Sequence, residues 1–350
     1  MSATDIASAA PTPAPHRPTV ALALGAGGAK GLAHIGVIEE IEAQGFQIVA
    51  IAGASMGALI GGIHAAGKLD VYRDWVCALA KLDVLRLVDW TFTGGGLIKG
   101  EKIIETMRGL IGDVQIEELP LTFTAVATDI DRGREVWLSR GGLFDAIRAS
   151  IAIPTIFRPY RYQGRLLVDG GLLNPLPVSP TLRDLTDATI AVDVNAPAEP
   201  LPETGANREY RRVEDERGAM GQASPEMMPD GKPAPIDMRR ASYRRRIAEY
   251  VGSWWLERHA RTSEHEPGAF ELFARSLDTV QETITRLKLA AQPPDLLITI
   301  PHNACAFYEF QRAEELIALG RVRTREALAR WNPPARREIP ASPEARQDHK

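Results

Sequence analysis

Only two cysteines, Cys77 and Cys305, occur in 350 residues, far apart and without His or Cys neighbours at ligand spacing. That excludes a disulfide framework and gives no support to a zinc site, so a reducing compartment is the simplest setting. Long apolar runs are missing as well, and no stretch is long enough to read as a membrane-spanning helix. Neither sign of charge dominates: the net charge of −4 gives no electrostatic reason to expect nucleic acid as a partner. Residues 1–18 are rich in Ala, Pro, Thr and Ser. They lack a basic start followed by an apolar core, so they read as a flexible tail and not as a secretory signal.

What is present alternates between strand-like and helix-like patterns. Thr19-Val20-Ala21-Leu22-Ala23-Leu24 is a short apolar run ending at glycines, as a buried parallel strand would. A helical stripe of Leu32, Ile35, Ile38 and Ile41 follows, with Gly45 as its stop. Further strands are expected over 47–52, 121–128, 134–138, 165–168, 189–194 and 296–300. Several are apolar on both faces, which predicts an α/β fold with a central, mainly parallel sheet between two helical layers.

The stretch 196–242 mixes Pro, Gly, Glu, Arg and Met without periodicity and reads as a mobile insertion. Residues 243–331 read as a helical extension plus a final strand completing the same domain, and 332–350 as a disordered tail. A helix over Tyr243–Trp255 opens on Arg239, Arg240, Arg244, Arg245 and Arg246. Its aromatic stripe suits a core helix. The alternative is peripheral membrane contact, with basic residues on anionic headgroups and aromatics dipping below them. A second helix is marked by Leu277, Val280, Ile284 and Leu287.

Three motifs carry chemistry. Gly53-Ala54-Ser55-Met56-Gly57 is G-x-S-x-G between a strand run and a helix run, the context of a nucleophile elbow. The plainer reading of an isolated match is a turn of small residues. Gly25-Ala26-Gly27-Gly28-Ala29-Lys30-Gly31 follows the first strand, and its amides at a helix N-terminus suit a phosphate or an oxyanion. Neither register gives G-x-G-x-x-G, and Lys30 is followed by Gly31, so dinucleotide and Walker A readings fail. Asp169-Gly170-Gly171 closes a strand, where α/β proteins build their sites.

Together these residues resemble the patatin-like phospholipase family, in its bacterial single-domain branch. The likeness is dense over about 19–195. It includes Gly31-Leu32-Ala33-His34-Ile35-Gly36-Val37, Gly94-Gly95-Gly96-Leu97, Ala127-Thr128-Asp129, Ala146-Ile147-Arg148-Ala149-Ser150 with Pro154, and Asn174-Pro175-Leu176-Pro177. The resemblance implies a patatin-like three-layer core over 19–195. It also implies a serine acyl hydrolase without cofactor or metal that cleaves lipid carboxylic esters. Ser55 would be the nucleophile and Asp169 its base. Amides of Gly27, Gly28 and Ala29 would form the oxyanion hole, and Gly25, Lys30, Gly31, Gly53, Gly57, Gly170 and Gly171 would shape the turns.

Lys30 stands where many members have arginine, and Gly171 where many have alanine, a difference expected to be tolerated. His34, His64 and His302 fall outside the matched catalytic motifs and are expected to be structural. Asp129 reads as a turn residue, Asp193 as orienting a loop, and Arg148 and Ser150 as shaping the wall beside Asp169. Rival readings are a non-catalytic phosphate- or nucleotide-binding module using the glycine turn, or a regulatory protein that keeps the fold. A cytoplasmic location is expected, with the inner membrane face reached only through the Tyr243–Trp255 helix. Neither composition nor pattern bears on oligomeric state.

Overall fold

Val20 to Leu24 are all fully buried, as a strand covered on both faces must be. The computed structural model describes residues 17–79, 89, 96–200 and 269–332. Strands form at β1 (Thr19–Leu24), β2 (Gln47–Ala54), β3 (Gly96–Ile98), β4 (Thr122–Asp129), β5 (Arg134–Leu138), β6 (Thr155–Phe157), β7 (Tyr160–Tyr162), β8 (Arg165–Asp169), β9 (Ala188–Ala196) and β10 (Leu296–Pro301). Helices are α1 (Ala33–Ala43), α2 (Met56–Ala65), α3 (Leu69–Cys77), α4 (Glu101–Ile111), α5 (Leu143–Ser150), α6 (Val178–Thr181), α7 (Ala269–Ala291) and α8 (Ala313–Arg330). The chain divides into two compact units, Met1–Glu199 with Ser276–Lys350, and Pro200–Arg275. All three motifs belong to the first. Of the second, only Pro200 and the first turns of α7 are described. The Tyr243–Trp255 helix lies outside the described residues, as do nearly all of the 196–242 stretch and of both tails.

The main sheet runs β10-β9-β1-β2-β4-β8-β7, with β5 also on β4. Strands β10, β9, β1, β2 and β4 pair in parallel, while β5, β7 and β8 are antiparallel to their neighbours. A separate parallel pair joins β3 to β6. Alternation along β1 sends neighbouring side chains to opposite faces. Leu24, with Ile51 and Phe123, backs onto α2 at Gly61. Ala23 and Ala191 pack with Leu176, Val178 and Leu289 on the other face. Each fully buried large apolar side chain contributes roughly 1.5–3 kcal/mol to holding these layers together.

Register decides where the site falls. Ala54, the last residue of β2, lies opposite Val126, and Asp169, the last residue of β8, lies opposite Ala127. Strand β5 pairs with residues 125–129 of β4 and so occupies its other edge. Strands β2 and β8 therefore share one edge of β4 and run toward each other, and their C-terminal ends meet between Val126 and Ala127.

The spacing of Leu277, Val280, Ile284 and Leu287 marks α7 correctly as a helix, but not its buried face. Val280 is 48% exposed and Leu287 65%, whereas Gln281 and Thr285 are each 8% exposed. The most buried positions of this helix are thus polar, with Leu277, Ile284 and Leu289 half-buried around them.

Candidate active site

Ser55 occupies φ 53, ψ −120 between β2 and α2. A non-glycine residue there stores about 1–3 kcal/mol of strain, which persists only where its surroundings fix the backbone. Those surroundings are glycines. A Cβ on Gly53 would fall 2.3 Å from the Gly57 carbonyl, and one on Gly57 would fall 2.1 Å from the Leu24 carbonyl. No side chain fits at either place, so the strand-to-helix turn closes only with glycine at both. Ser150 completes the clamp: its Oγ accepts the Ser55 N–H at 2.9 Å and donates to the Val126 carbonyl at 2.6 Å.

Asp169 is tied from every backbone group. Its N–H donates to the Ala152 carbonyl at 2.9 Å, its carbonyl accepts from Thr128 Oγ1 at 3.0 Å, and its Oδ1 accepts the Gly171 N–H at 2.7 Å. Burial raises the carboxyl to about 7, against the opposing pull of the Ser55 hydroxyl and the Gly171 amide. Ser55 and Asp169 are each only 3% exposed. The serine hydroxyl is near enough to lower the carboxyl's pKa, yet Oδ2 has no closed hydrogen bond among the described residues. Such a loose approach is common before a substrate tightens it.

The glycine turn is anchored on both sides of Gly27 and Gly28. Gly25 N–H donates to the Val192 carbonyl at 3.0 Å, and Ala26 N–H to the Pro175 carbonyl at 2.8 Å. The Ala26 carbonyl accepts from Asn195 Nδ2 at 2.7 Å, and the Gly25 carbonyl lies 2.8 Å from His34 Nε2. Burial lowers the His34 ring to about 4. It is therefore neutral at pH 7, and with a carbonyl as partner Nε2 must carry the proton.

Ala29 departs from the sequence expectation. Its N–H donates to the Phe307 carbonyl at 2.8 Å, so it is already spent and unavailable to an oxyanion. The amides of Gly27 and Gly28 are the ones without an acceptor among the described residues. At Gly28 φ is +55, and the Phe307 ring lies 2.3 Å from where a Cβ would stand, so the position requires glycine. Lys30 is buried, and burial lowers its ammonium, opposed by the charge of Asp278 and Asp193.

All three motifs touch. Ala26 Cβ lies 2.9 Å from the point a Gly171 Cβ would occupy, and Met56 Cβ lies 2.4 Å from that of Gly31. Position 171 is crowded in this chain: Gln281 Nε2 at 2.8 Å, Ala26 Cβ and Asp169 Oδ1 already surround the point an alanine Cβ would occupy. Sequence alone does not announce Gln281, Phe307 and Asn195. They come from segments distant along the chain, and a single glutamine, phenylalanine or asparagine carries no local signal.

The remaining candidates take supporting places. Asp129 accepts the Arg132 N–H at 3.1 Å and pairs with its guanidinium at 3.0 Å within a turn. Asp193 Oδ1 accepts the Asn195 N–H at 2.9 Å, which orients the residue that holds Ala26. Arg148 donates to the Lys99 and Arg158 carbonyls, tying β3 and β6 to α5. His302 Nδ1 lies 3.2 Å from the Ala196 carbonyl, and His64 faces Glu42 at 3.6 Å.

A strained serine on a strand-to-helix turn, facing a buried carboxylate across the C-terminal edge of an α/β sheet, defines a serine-elbow α/β protein. The chain belongs to the patatin-like phospholipase family. Residues 22–182 match the family model described as patatin-like phospholipase. An uncharacterised NTE family protein of Mycobacterium tuberculosis is 40% identical over 89% of this chain and 91% of its own length. A lysophospholipase of Emericella nidulans is 33% identical over 51% of this chain but only 12% of its own. The neuropathy target esterase of Drosophila melanogaster is 31% identical over 51% of this chain and 13% of its own. Among solved structures, VipD from Legionella pneumophila aligns with 90% of this chain and 75% of its own at 14% identity, with a TM-score of 0.35, a likeness too loose to build on. Among the described residues no helix is long and apolar enough to cross a membrane.

Proposed function

We propose that the protein hydrolyses carboxylic esters of lipids through an acyl-serine intermediate, with Ser55 as nucleophile and Asp169 as its base. The observation that carries this reading is the meeting of β2 and β8 on one edge of β4, with the strained Ser55 beside a buried carboxylate. Membership of the family, and the names borne by its lysophospholipase and esterase relatives, support the substrate class.

In this reading Asp169 Oδ2 takes the hydroxyl proton as Ser55 Oγ attacks the ester carbonyl. The oxygen that gains charge is received by the Gly27 and Gly28 amides, pre-set by the anchors on Gly25, Ala26 and Ala29. As the carbonyl reforms, Asp169 returns the proton to the departing alcohol. Water then attacks the acyl-serine with Asp169 again as base, giving the free acid and restoring the hydroxyl. An ordinary aspartate near about 3.9 is a weak base for such a step. Burial brings Asp169 to about 7, which is matched to neutral pH.

A fluorophosphonate probe tests the reading, because it labels only an activated hydroxyl. Labelling of the wild type that vanishes in Ser55→Ala is expected. Ester hydrolysis should fall by roughly three orders of magnitude or more in folded Ser55→Ala and Asp169→Asn. Full activity in a folded Asp169→Asn protein would sink the dyad. Absence of both labelling and ester hydrolysis in the folded wild type would favour the binding-module alternative.

A further inference from the structure

Gln281 is 8% exposed, yet its side-chain amide has no hydrogen-bond partner among the described residues. What surface it keeps includes the amide, since neither amide atom is among the fully buried unpaired ones. An amide in so narrow an opening has no protein partner among the described residues to satisfy it, so the position favours an amide only if something that enters the opening pairs with it. Its placement gives it a use. Nε2 lies 2.8 Å from the point a Gly171 Cβ would occupy, and Asp169 Oδ1 lies 3.0 Å from the same point. The amide therefore stands beside the carboxyl that receives and returns the proton.

We infer that Gln281 is a specificity-determining residue that hydrogen-bonds an oxygen on the alcohol portion of the ester. This rests on the acyl-hydrolase reading above. In that chemistry the acyl oxygen lies at the Gly27 and Gly28 amides. The leaving oxygen must approach Asp169, which protonates it. A group flanking Asp169 consequently meets the alcohol and not the acyl chain. An amide both donates and accepts, so it suits a hydroxyl or ether oxygen on the carbon next to the ester. An aryl ester offers it nothing. Glycine at 171 is what leaves room for Nε2, because a methyl there would collide with it.

Two butyrate esters with different alcohols test this: glyceryl monobutyrate and p-nitrophenyl butyrate. Gln281→Met keeps the length and removes the amide. It is expected to lower the ratio of kcat/KM for the glyceryl over the aryl ester roughly ten-fold. Gly171→Ala, which displaces Nε2, should lower the ratio similarly, and the double variant should fall no further than either single one. Gln281→Glu keeps the shape and puts a negative charge beside Asp169. It should shift the rising limb of the pH profile upward, which a purely structural residue would not do. An unchanged ratio in folded Gln281→Met, or additive effects in the double variant, overturns the assignment. Should Gln281→Met not fold, an unshifted pH limb in Gln281→Glu overturns it instead. Wild type that neither cleaves either ester nor takes the fluorophosphonate would sink the acyl-hydrolase reading itself, a different result from cleavage with an unchanged ratio.

Discussion

The Ser150 hydroxyl receives the backbone N–H of Ser55 at 2.9 Å, and its own proton goes to the Val126 carbonyl at 2.6 Å. One side chain thereby fastens the elbow to the strand on which β2 and β8 converge. Ser150→Ala removes the partner of a buried N–H, which costs about 1–3 kcal/mol. Thermal unfolding should occur at a lower temperature. Loss of positioning should also lower kcat about ten- to hundred-fold with little change in KM. Unaltered kcat in this variant would show that the Ser55 backbone is held by its glycines alone.

The raised pKa of Asp169 has two consequences with opposite signs. In the proposed mechanism activity needs the ionised carboxylate, so kcat/KM should climb through pH of about 7 and level off above it. Stability runs the other way. Below the unfolded value of about 3.9 both states hold the proton and there is no effect. Between there and about 7 the unfolded chain releases it while the folded chain keeps it, so stability falls as pH rises. The full penalty is present above that range, at about 1.4 kcal/mol for each pH unit separating the folded and unfolded values. Asp169→Asn should therefore gain thermal stability over wild type at pH 8 and gain little at pH 4. Melting curves at the two pH values check this, and an equal change at both would contradict the burial argument.

Gly57→Ala puts a methyl 2.1 Å from the Leu24 carbonyl, and backbone cannot yield as a side chain would. The expected cost is about 1–3 kcal/mol. The elbow moves as well, so fluorophosphonate labelling should be slowed even where the folded fraction is complete. Labelling at the wild-type rate would mean the turn has more freedom than its contacts imply.

Glu309 accepts the Ala306 N–H at 2.7 Å and pairs with Arg312 at 3.0 Å, setting the segment whose Phe307 carbonyl holds Ala29. Glu309→Ala should loosen that hold. Hydrogen exchange at the Ala29 amide is expected to speed up, with kcat reduced several-fold and KM nearly constant. Protection at Ala29 that matches wild type would separate the glycine turn from this segment.

Much of the site is legible in the sequence because its parts obey local rules. Gly53 and Gly57 flank Ser55 for a steric reason that any strand-to-helix turn of this kind shares. Asp169 closes a strand, where sheet edges collect functional groups. Two departures have a common cause. Ala29 sits in the right turn, but its N–H is taken by Phe307, far along the chain, and no local pattern predicts that partner. On α7 the apolar spacing announces a helix, but its two most buried positions are the polar Gln281 and Thr285. Gln281 is buried there beside Gly171 and Asp169, and periodicity assumes an apolar floor. The meeting of β2 and β8 is equally hidden, since pairing register is a property of β4 and not of either arriving strand.

Under the proposed function, that meeting makes hydrolytic activity a gauge of complete folding. Ser55 arrives from one direction on β4 and Asp169 from the other. A nascent or truncated chain that stops before residue 169 would thus carry Ser55 without the carboxyl group proposed as its base. On the proposed mechanism, acylation would have to wait for residue 169, and the Phe307 carbonyl that holds Ala29 arrives later still.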